Sequence, residues 1–223
     1  MQYAILIDAG FVKHKLSSAS DKMNVWDIRS LVKSLVECPQ LQKYKLHRVY
    51  YYDAMPYSGK EKLPLSSQIV DYSETPQAKK SIEFINEIKK EPFFAVRLGE
   101  LSFEGWQVRP SCFNTSESSL TIESKDLSPK ISQKGVDMRI GMDIASLTLK
   151  RISQILVLVT GDSDFVPAMK LARREGAELY IVTLGHKVKD AMLEHCDLTL
   201  ELDPKIIREN AKAMSLNSNS NAN

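Results

Sequence analysis

The chain has 223 residues, of which 43% are hydrophobic and 26% charged, and its formal net charge is +2. This length suits one domain, and the apolar content suits a core on both sides of a sheet. The near-neutral charge neither requires nor excludes a nucleic-acid partner. Apolar runs are too short to span a membrane, and the N-terminal YAILI run ends at an aspartate, unlike a signal peptide. The three scattered cysteines are typical of a reducing cytoplasm, where we expect the protein.

Strands and amphipathic helices alternate along the chain. Continuous apolar runs predict buried strands, and apolar residues three or four apart predict helices. Strands are predicted at residues 3–7, 46–52, 93–101, 155–159, 178–183 and 198–202, and helices at 25–36, 77–89, 137–149, 162–175 and 188–194. This alternation predicts an α/β fold with three layers, α/β/α, around a mainly parallel sheet.

Two segments interrupt this alternation, so we expect a single domain over residues 1–203 with two insertions. Residues 54–75 contain prolines, glycine and serines, and this composition predicts a long loop or partial lid. The second insertion, 103–133, begins with a hairpin strand at 103–109 and continues as a mobile serine-rich stretch over 111–133. Residues 204–223 are predicted to form a helix and a disordered tail, which begins after Met214.

Four aspartates are predicted to gather at one edge of the sheet. Asp8 follows the first strand, Asp162 and Asp164 follow the ILVLV strand, and Asp137 opens the preceding helix. The carboxyl ends of parallel strands share an edge, where ligands bind near the switch in strand order. Clustered carboxylates repel one another unless a cation neutralises them, and oxygen ligands suit Mg²⁺ or Mn²⁺. Such a metal can activate a water for attack at phosphorus. Helix capping is the alternative role for Asp137 and Asp162.

Three further polar residues accompany this cluster. Asp143 lies about 240° around the helix from Asp137, which favours a supporting or surface position over direct metal contact. Thr160 and Ser163 carry hydroxyls that could orient a water or a phosphate, although both are also common turn residues.

The three segments that carry these aspartates resemble a known family. IDAGF at residues 7–11, KGVDMRIGMD at 134–143 and TGDSDF at 160–165 look like the NYN domain. They look most like its LabA-like bacterial branch, within the PIN-like nuclease superfamily. The likeness runs from Met1 to about Asp203, apart from the two insertions.

The resemblance implies a PIN-like sheet, a divalent metal held by the acidic cluster, and endoribonuclease or other ribonuclease activity. It places the family's acidic positions at Asp8, Asp137, Asp162 and Asp164. One position departs from the pattern, because Phe11 stands where the family often has an asparagine.

The first functional hypothesis is therefore a metal-dependent nuclease that hydrolyses single-stranded RNA. Lysines and arginines would track the phosphates. The candidate nucleic-acid-binding residues are Lys13, Lys15 and Lys134, with Arg173 and Arg174 further out. Phe11 and Tyr57 could stack on bases or pack in the core.

Two other classes of function compete with a nuclease. A phosphatase of the haloacid dehalogenase type needs a second aspartate two residues after Asp8, and that position is Gly10. A regulatory scaffold would keep the fold, bind RNA and lack turnover, and the metal would then stabilise the protein without cleavage. The hydrophobic hairpin near Phe103 and Trp106 could also serve a homodimer.

Overall fold

The computed structural model describes residues 1–114 and 119–220, and places a seven-stranded sheet between two layers of helices. The strands are β1 (Gln2–Asp8), β2 (Lys45–Met55), β3 (Lys60–Lys62), β4 (Ile69–Asp71), β5 (Phe94–Val108), β6 (Leu127–Lys134), β7 (Ile155–Val159), β8 (Glu178–Val182) and β9 (Leu198–Thr199). The helices are α1 (Ala9–Leu16), α2 (Val25–Val36), α3 (Pro76–Ile88), α4 (Val136–Leu149), α5 (Val166–Arg174), α6 (Asp190–Glu194) and α7 (Pro204–Ser220).

The sheet has the strand order β6-β5-β2-β1-β7-β8-β9. Every neighbouring pair is parallel except β5 and β6, which are antiparallel. The chain winds outward from β1 through β2 to β5 on one side and from β7 through β8 to β9 on the other. The order therefore switches between β1 and β7. The predicted fold class, three-layer α/β/α with a mainly parallel sheet, is confirmed.

The two central strands are buried on both faces because helices cover each side. Side chains of a strand alternate between faces, so Ile5 of β1 joins one apolar cluster and Leu6 joins the other. Helices α1, α2, α3 and α7 pack on the first face, and α4, α5 and α6 on the second. All five residues of β7 are fully buried, as its continuous apolar sequence predicts.

The structure corrects several sequence-based boundaries. The polar stretch after β1 is helix α1, and the segment 54–75 contains the β3–β4 hairpin and a 3-10 turn in addition to loop. The strand predicted at 93–101 and the hairpin strand at 103–109 form one continuous strand, β5, with a bulge near Gly105. The last seven residues of the stretch predicted to be mobile, 127–133, belong to β6, and residues 115–118 lie outside the described residues. The helix predicted at 162–175 is a 3-10 turn followed by α5.

Helix α7 packs along α2 and also contacts α1. The buried Ser30 hydroxyl donates a hydrogen bond to the Ile207 carbonyl, at 2.8 Å. Arg208 forms ion pairs with the buried Asp27, at 2.7 Å, and with Asp21. The helix continues past Met214, where the sequence predicts a disordered tail, and extends to Ser220; residues 221–223 lie outside the described residues.

Within residues 1–114 and 119–220, no helix is long and apolar enough to cross a membrane.

Candidate active site

Asp8 and Asp162 lie on either side of the switch in strand order. Asp8 is the last residue of β1, and Asp162 follows β7 after Thr160 and Gly161. Because β1 and β7 are parallel neighbours, both aspartates are at the carboxyl edge of the sheet. In open parallel sheets this is where ligands bind.

Thr160 joins these two aspartates. Its fully buried hydroxyl donates a hydrogen bond to Asp8 Oδ2, at 2.9 Å, and accepts one from the Asp162 backbone N–H, at 3.2 Å. Asp8 Oδ1 accepts from the Phe11 N–H at 3.3 Å, so Asp8 caps α1. Thr160 therefore orients the two acidic residues and is not free to hold a water.

Asp162 also acts as a cap, because its side chain accepts a hydrogen bond from the Asp164 N–H at 2.9 Å. The capping role considered from the sequence is thus real for Asp162. The carboxylate can still accept further hydrogen bonds or bind a cation, since its two oxygens offer about four acceptor positions. Both Asp162 and Asp164 remain exposed.

Asp137 reaches this edge from the first turn of α4. The helix follows β6 after a left-handed turn at Gly135, whose φ is 74°. A side chain at Gly99 of β5 would place its Cβ 2.5 Å from the Lys134 carbonyl and 2.6 Å from Val136 Cγ2. This close approach fixes the junction between β6 and α4, and with it the start of the helix that carries Asp137.

The four aspartates influence one another electrostatically. Burial raises the pKa of Asp8, and the nearby charge of Asp137 raises it further, against the hydrogen bonds from Phe11 and Thr160. Partial burial raises the pKa of Asp137, as do the charges of Asp162 and Asp164. Asp137 therefore interacts electrostatically with each of the other three aspartates.

The donor set suits a hydrated divalent cation. Within the described part of the chain, no three His, Cys, Asp or Glu side chains are arranged to hold a metal ion directly. Mg²⁺ commonly keeps several waters and takes only one or two carboxylates, so oxygen-only donors with mutual repulsion fit it. Asp8, Asp137, Asp162 and Asp164 are the residues that would hold it, one or two of them directly and the others through its waters.

Asp143 supports β2 and β5 from α4. Its Oδ2 accepts hydrogen bonds from the Tyr52 hydroxyl, at 2.9 Å, and from Arg97 Nε, at 3.1 Å. Tyr52 is the register partner of Asp8. Asp143 thus fixes a side chain next to the cluster, while Ser163 lies in the 3-10 turn between Asp162 and Asp164.

The three candidate lysines have different surroundings. Lys13 forms an ion pair with Asp53, with 2.5 Å between Nζ and Oδ2. Asp53 is a buried aspartate near the end of β2, and nothing in the sequence marks it as a candidate site residue. Lys134 pairs with Glu104 at 2.7 Å and remains exposed. Lys15 lies with its Nζ 5.9 Å from the centre of the Phe11 ring and forms no ion pair with any described residue. Lys15 is therefore the freest of the three cations to meet a phosphate.

The outer candidates lie elsewhere. Arg173 forms an ion pair with Asp197, and Arg174 forms one with Glu175. Both arginines are at the carboxyl end of α5, which lies toward the amino edge of the sheet. Tyr57 contacts the Phe103 ring with centroids 5.9 Å apart, and Phe103 contacts Trp106 at 5.6 Å. These aromatic residues therefore pack on one another within the chain.

An open cleft of about 430 Å³ adjoins Asp8 and Asp162. It contains Phe11, His14 and Lys15 from α1 and His186 from the turn after β8. Neither histidine stands out in the sequence, because each is a lone residue in a polar segment. Only the winding of the sheet brings His186 to the end of β1.

The junction that positions Asp137 can be tested with two glycine variants. Gly99→Ala should reduce the free energy of unfolding by about 1–3 kcal/mol, because its Cβ meets backbone and Val136. Gly141→Ala in the same helix α4 should instead stabilise the protein by about 0.5–1 kcal/mol, since nothing lies within 4 Å of its Cβ. Urea unfolding measures both, and equal effects of the two variants would contradict the close approach at Gly99.

The fold and the site together define a class: an α/β/α protein with coupled carboxylates at the switch point of a parallel sheet. Residues 99–203 match the family model of the NYN domain, which belongs to the PIN-like nuclease superfamily. The NYN resemblance is therefore confirmed over this range, which contains Asp137, Asp162 and Asp164; its LabA-like branch is not. Asp8 lies before the matched range and is joined to it by the pairing of β1 with β7.

Other comparisons add little to this match. No curated protein matches the chain in sequence. A crystal structure of a protein of unknown function from Vibrio parahaemolyticus is 14% identical, with 91% of this chain and 93% of that chain covered and a TM-score of 0.49. A structure from work on the structural basis for the mechanism and regulation of Sir2 enzymes is 11% identical to this chain. The match covers 96% of this chain and 93% of that chain, with a TM-score of 0.35. Similarity at these levels carries no argument about function.

Proposed function

We propose that this protein is a divalent-metal-dependent ribonuclease of the cytoplasm that hydrolyses single-stranded RNA. One observation carries the proposal: Asp137 of α4 interacts electrostatically with Asp8 at the end of β1 and with Asp162 and Asp164 after β7, at the carboxyl edge of the sheet. The NYN match over residues 99–203 supports the same class of activity.

The residues of the acidic cluster would have two roles, metal binding and orientation of the metal ligands. Asp8, Asp137, Asp162 and Asp164 hold Mg²⁺ or Mn²⁺, and Thr160 fixes the orientation of Asp8 against the backbone of Asp162. When bound, the cation supplies an activated water and neutralises charge on the phosphate. Without it, four carboxylates would repel the RNA backbone, so we expect cleavage to depend on metal.

The surroundings of the acidic cluster favour single strands of RNA. The cleft beside Asp8 is open and lies between α1 and the turn after β8, and a flexible single strand can bend along it more easily than a stiff duplex. Lys15 in the cleft and Lys134 at the end of β6 are the cations that would contact phosphates.

Cleavage of a labelled RNA tests the proposal. The purified protein is incubated with a single-stranded oligonucleotide in Mn²⁺ or Mg²⁺, with and without excess chelator. We expect cleavage that requires metal, stops on chelation and resumes when metal is restored. Cleavage that continues in chelator would contradict a metal-dependent site.

Metal should also stabilise the folded protein. A cation at about 100 times its Kd contributes about 2.7 kcal/mol by mass action, which for a chain of this size raises Tm by roughly 5–10 °C. Thermal unfolding with increasing Mn²⁺ measures this shift. Asp8→Asn should reduce the shift strongly, and an equal shift in the variant would place the metal elsewhere.

A regulatory RNA-binding scaffold remains a second candidate because no three acidic side chains of the described chain are arranged around a metal position. The cleavage measurement separates the candidates, because metal should raise the Tm of both. A scaffold would bind RNA, and metal would raise its Tm, yet it would leave the RNA intact.

A further inference from the structure

The cleft beside the acidic cluster combines aromatic rings with cationic and imidazole groups. Phe11, His14 and Lys15 lie on one face of α1, three and four residues apart, and His186 approaches from the turn after β8. Phe11 is partly buried and His186 is exposed. The cleft is open to solvent and has a volume of about 430 Å³.

The turn before His186 has a defined shape. Leu184 and Gly185 both have positive φ, 47° and 70°, and the His186 N–H donates to the Thr183 carbonyl at 2.8 Å. A leucine rarely adopts this left-handed conformation, which persists only where the surroundings enforce it. The Leu184 side chain is buried in the core, so packing holds the turn and places the imidazole over the cleft.

Phe11 and His186 form a pair of rings above Gly161. Their centroids are 5.9 Å apart and their planes meet at 67°. A Cβ at Gly161 would lie 2.5 Å from His186 Cδ2 and 2.7 Å from Phe11 Cε2. The rings can therefore occupy these positions only because residue 161 has no side chain. They adjoin Asp162, the next residue along the chain.

We propose that this cleft binds the base and the phosphate of one unpaired RNA nucleotide next to the acidic cluster. The Phe11 and His186 rings contact the base, and Lys15 and His14 contact the phosphate. This proposal rests on the proposed nuclease function, because the bound nucleotide is the one that lies next to the acidic cluster where cleavage would occur. It also gives Phe11 a role, since the ring that replaces the family's frequent asparagine offers a stacking surface.

Each half of the cleft suits one part of a nucleotide. Every base has a face that stacks on an aromatic ring, and such stacking does not depend on sequence. Lys15 has no carboxylate partner within the described chain, in contrast to Lys13, so its ammonium group is available to a phosphate. Base faces in a duplex are already stacked on their neighbours, so this cleft selects unpaired nucleotides.

The binding of two matched RNA probes tests the proposal. The protein carries Asp137→Asn, a residue outside the cleft, to prevent cleavage. Fluorescence anisotropy in Mn²⁺ compares an octamer of adenosines with an abasic octamer that has the same phosphates. We expect the adenosine octamer to bind about 5- to 100-fold more tightly. This ratio should fall close to one in His186→Ala and in Phe11→Leu.

Two control variants should keep the ratio. Lys187→Ala changes an exposed residue next to His186 that does not line the cleft, and Trp106→Leu changes an aromatic residue elsewhere. His186 is exposed, so its variant should fold normally even if Phe11→Leu weakens the core. A ratio that survives in both cleft variants, or that is lost in Trp106→Leu instead, would overturn the proposal.

The test separates this proposal from the nuclease proposal. A base-dependent ratio that needs Phe11 and His186 would stand even if the wild-type protein cut no RNA. Conversely, metal-dependent cleavage with equal binding of both octamers would support the nuclease and reject the nucleotide cleft.

Discussion

Replacing Asp162 by asparagine should reduce metal-dependent RNA cleavage by about 100- to 1000-fold, the loss seen when one major electrostatic contact of a transition state is removed. Asparagine can still accept the hydrogen bond from the Asp164 N–H, so the turn should survive. In the absence of metal the variant should be at least as stable as wild type, since the Asp162 charge raises the pKa of Asp137 by repulsion.

Single-turnover cleavage and a metal-free thermal melt measure these two effects. Asp190→Asn is the matched control, because Asp190 is an exposed aspartate in the first turn of α6, outside the cluster. We expect its cleavage rate to equal that of wild type. If Asp162→Asn cuts RNA as fast as the control, the acidic cluster is not the active site.

Replacing Arg208 of α7 by alanine should reduce the free energy of unfolding by about 3 kcal/mol. This is the largest effect on stability among the single substitutions that we propose. The Arg208 side chain is 15% exposed and its partner Asp27 only 2%, so the variant leaves a buried charge without its cation. Lys212→Ala is the control, because Lys212 is 67% exposed and its ion pair with Asp21 lies at the surface, where such pairs contribute little to stability.

The stability deficit of the Arg208 variant should depend on pH. Burial raises the pKa of Asp27 and Arg208 lowers it, so removing Arg208 raises it further above the unfolded value. A carboxyl group with a raised folded-state pKa destabilises the protein as it ionises. The deficit should therefore be full near pH 7 and shrink as the pH falls toward about 4. Urea unfolding across this range measures it, and a deficit that grows on acidification would contradict the burial of Asp27.

The central strands and the acidic edge could be predicted because their signals are local. The ILVLV sequence of β7 is apolar enough to require cover on both faces, which implies parallel neighbours and a shared carboxyl edge. Asp8 ends β1 and Asp162 follows β7 after two residues, so the strand order alone predicts that the two aspartates lie near each other. The spacing of apolar residues likewise gave the bounds of α2 correctly.

Elements stabilised by distant contacts could not be predicted in the same way. Helix α1 has little amphipathic pattern and contains Gly10; the Asp8 cap and burial of Val12 and Leu16 hold it. Strand β6 is polar and contains Pro129, and it exists through antiparallel pairing with β5 at the sheet edge.

The same limit applies to the side chains around the site. Lys13 and Asp53 are 40 residues apart, so their ion pair is invisible in the sequence and Lys13 looks like a free cation. The position of His186 depends on a left-handed leucine in the preceding turn, a conformation that no residue pattern indicates. Tertiary packing, not local propensity, decides both.

The most direct test of the metal-dependent active site measures Mn²⁺ binding and RNA cleavage on the same samples. Electron paramagnetic resonance reports free Mn²⁺ as metal is added to wild-type protein and to Asp8→Asn, and each sample is then given labelled single-stranded RNA. We predict that cleavage by the wild type rises in parallel with Mn²⁺ binding, and that the variant loses both. Cleavage without Mn²⁺ binding, or binding and cleavage unchanged in Asp8→Asn, would contradict a metal-dependent active site at Asp8.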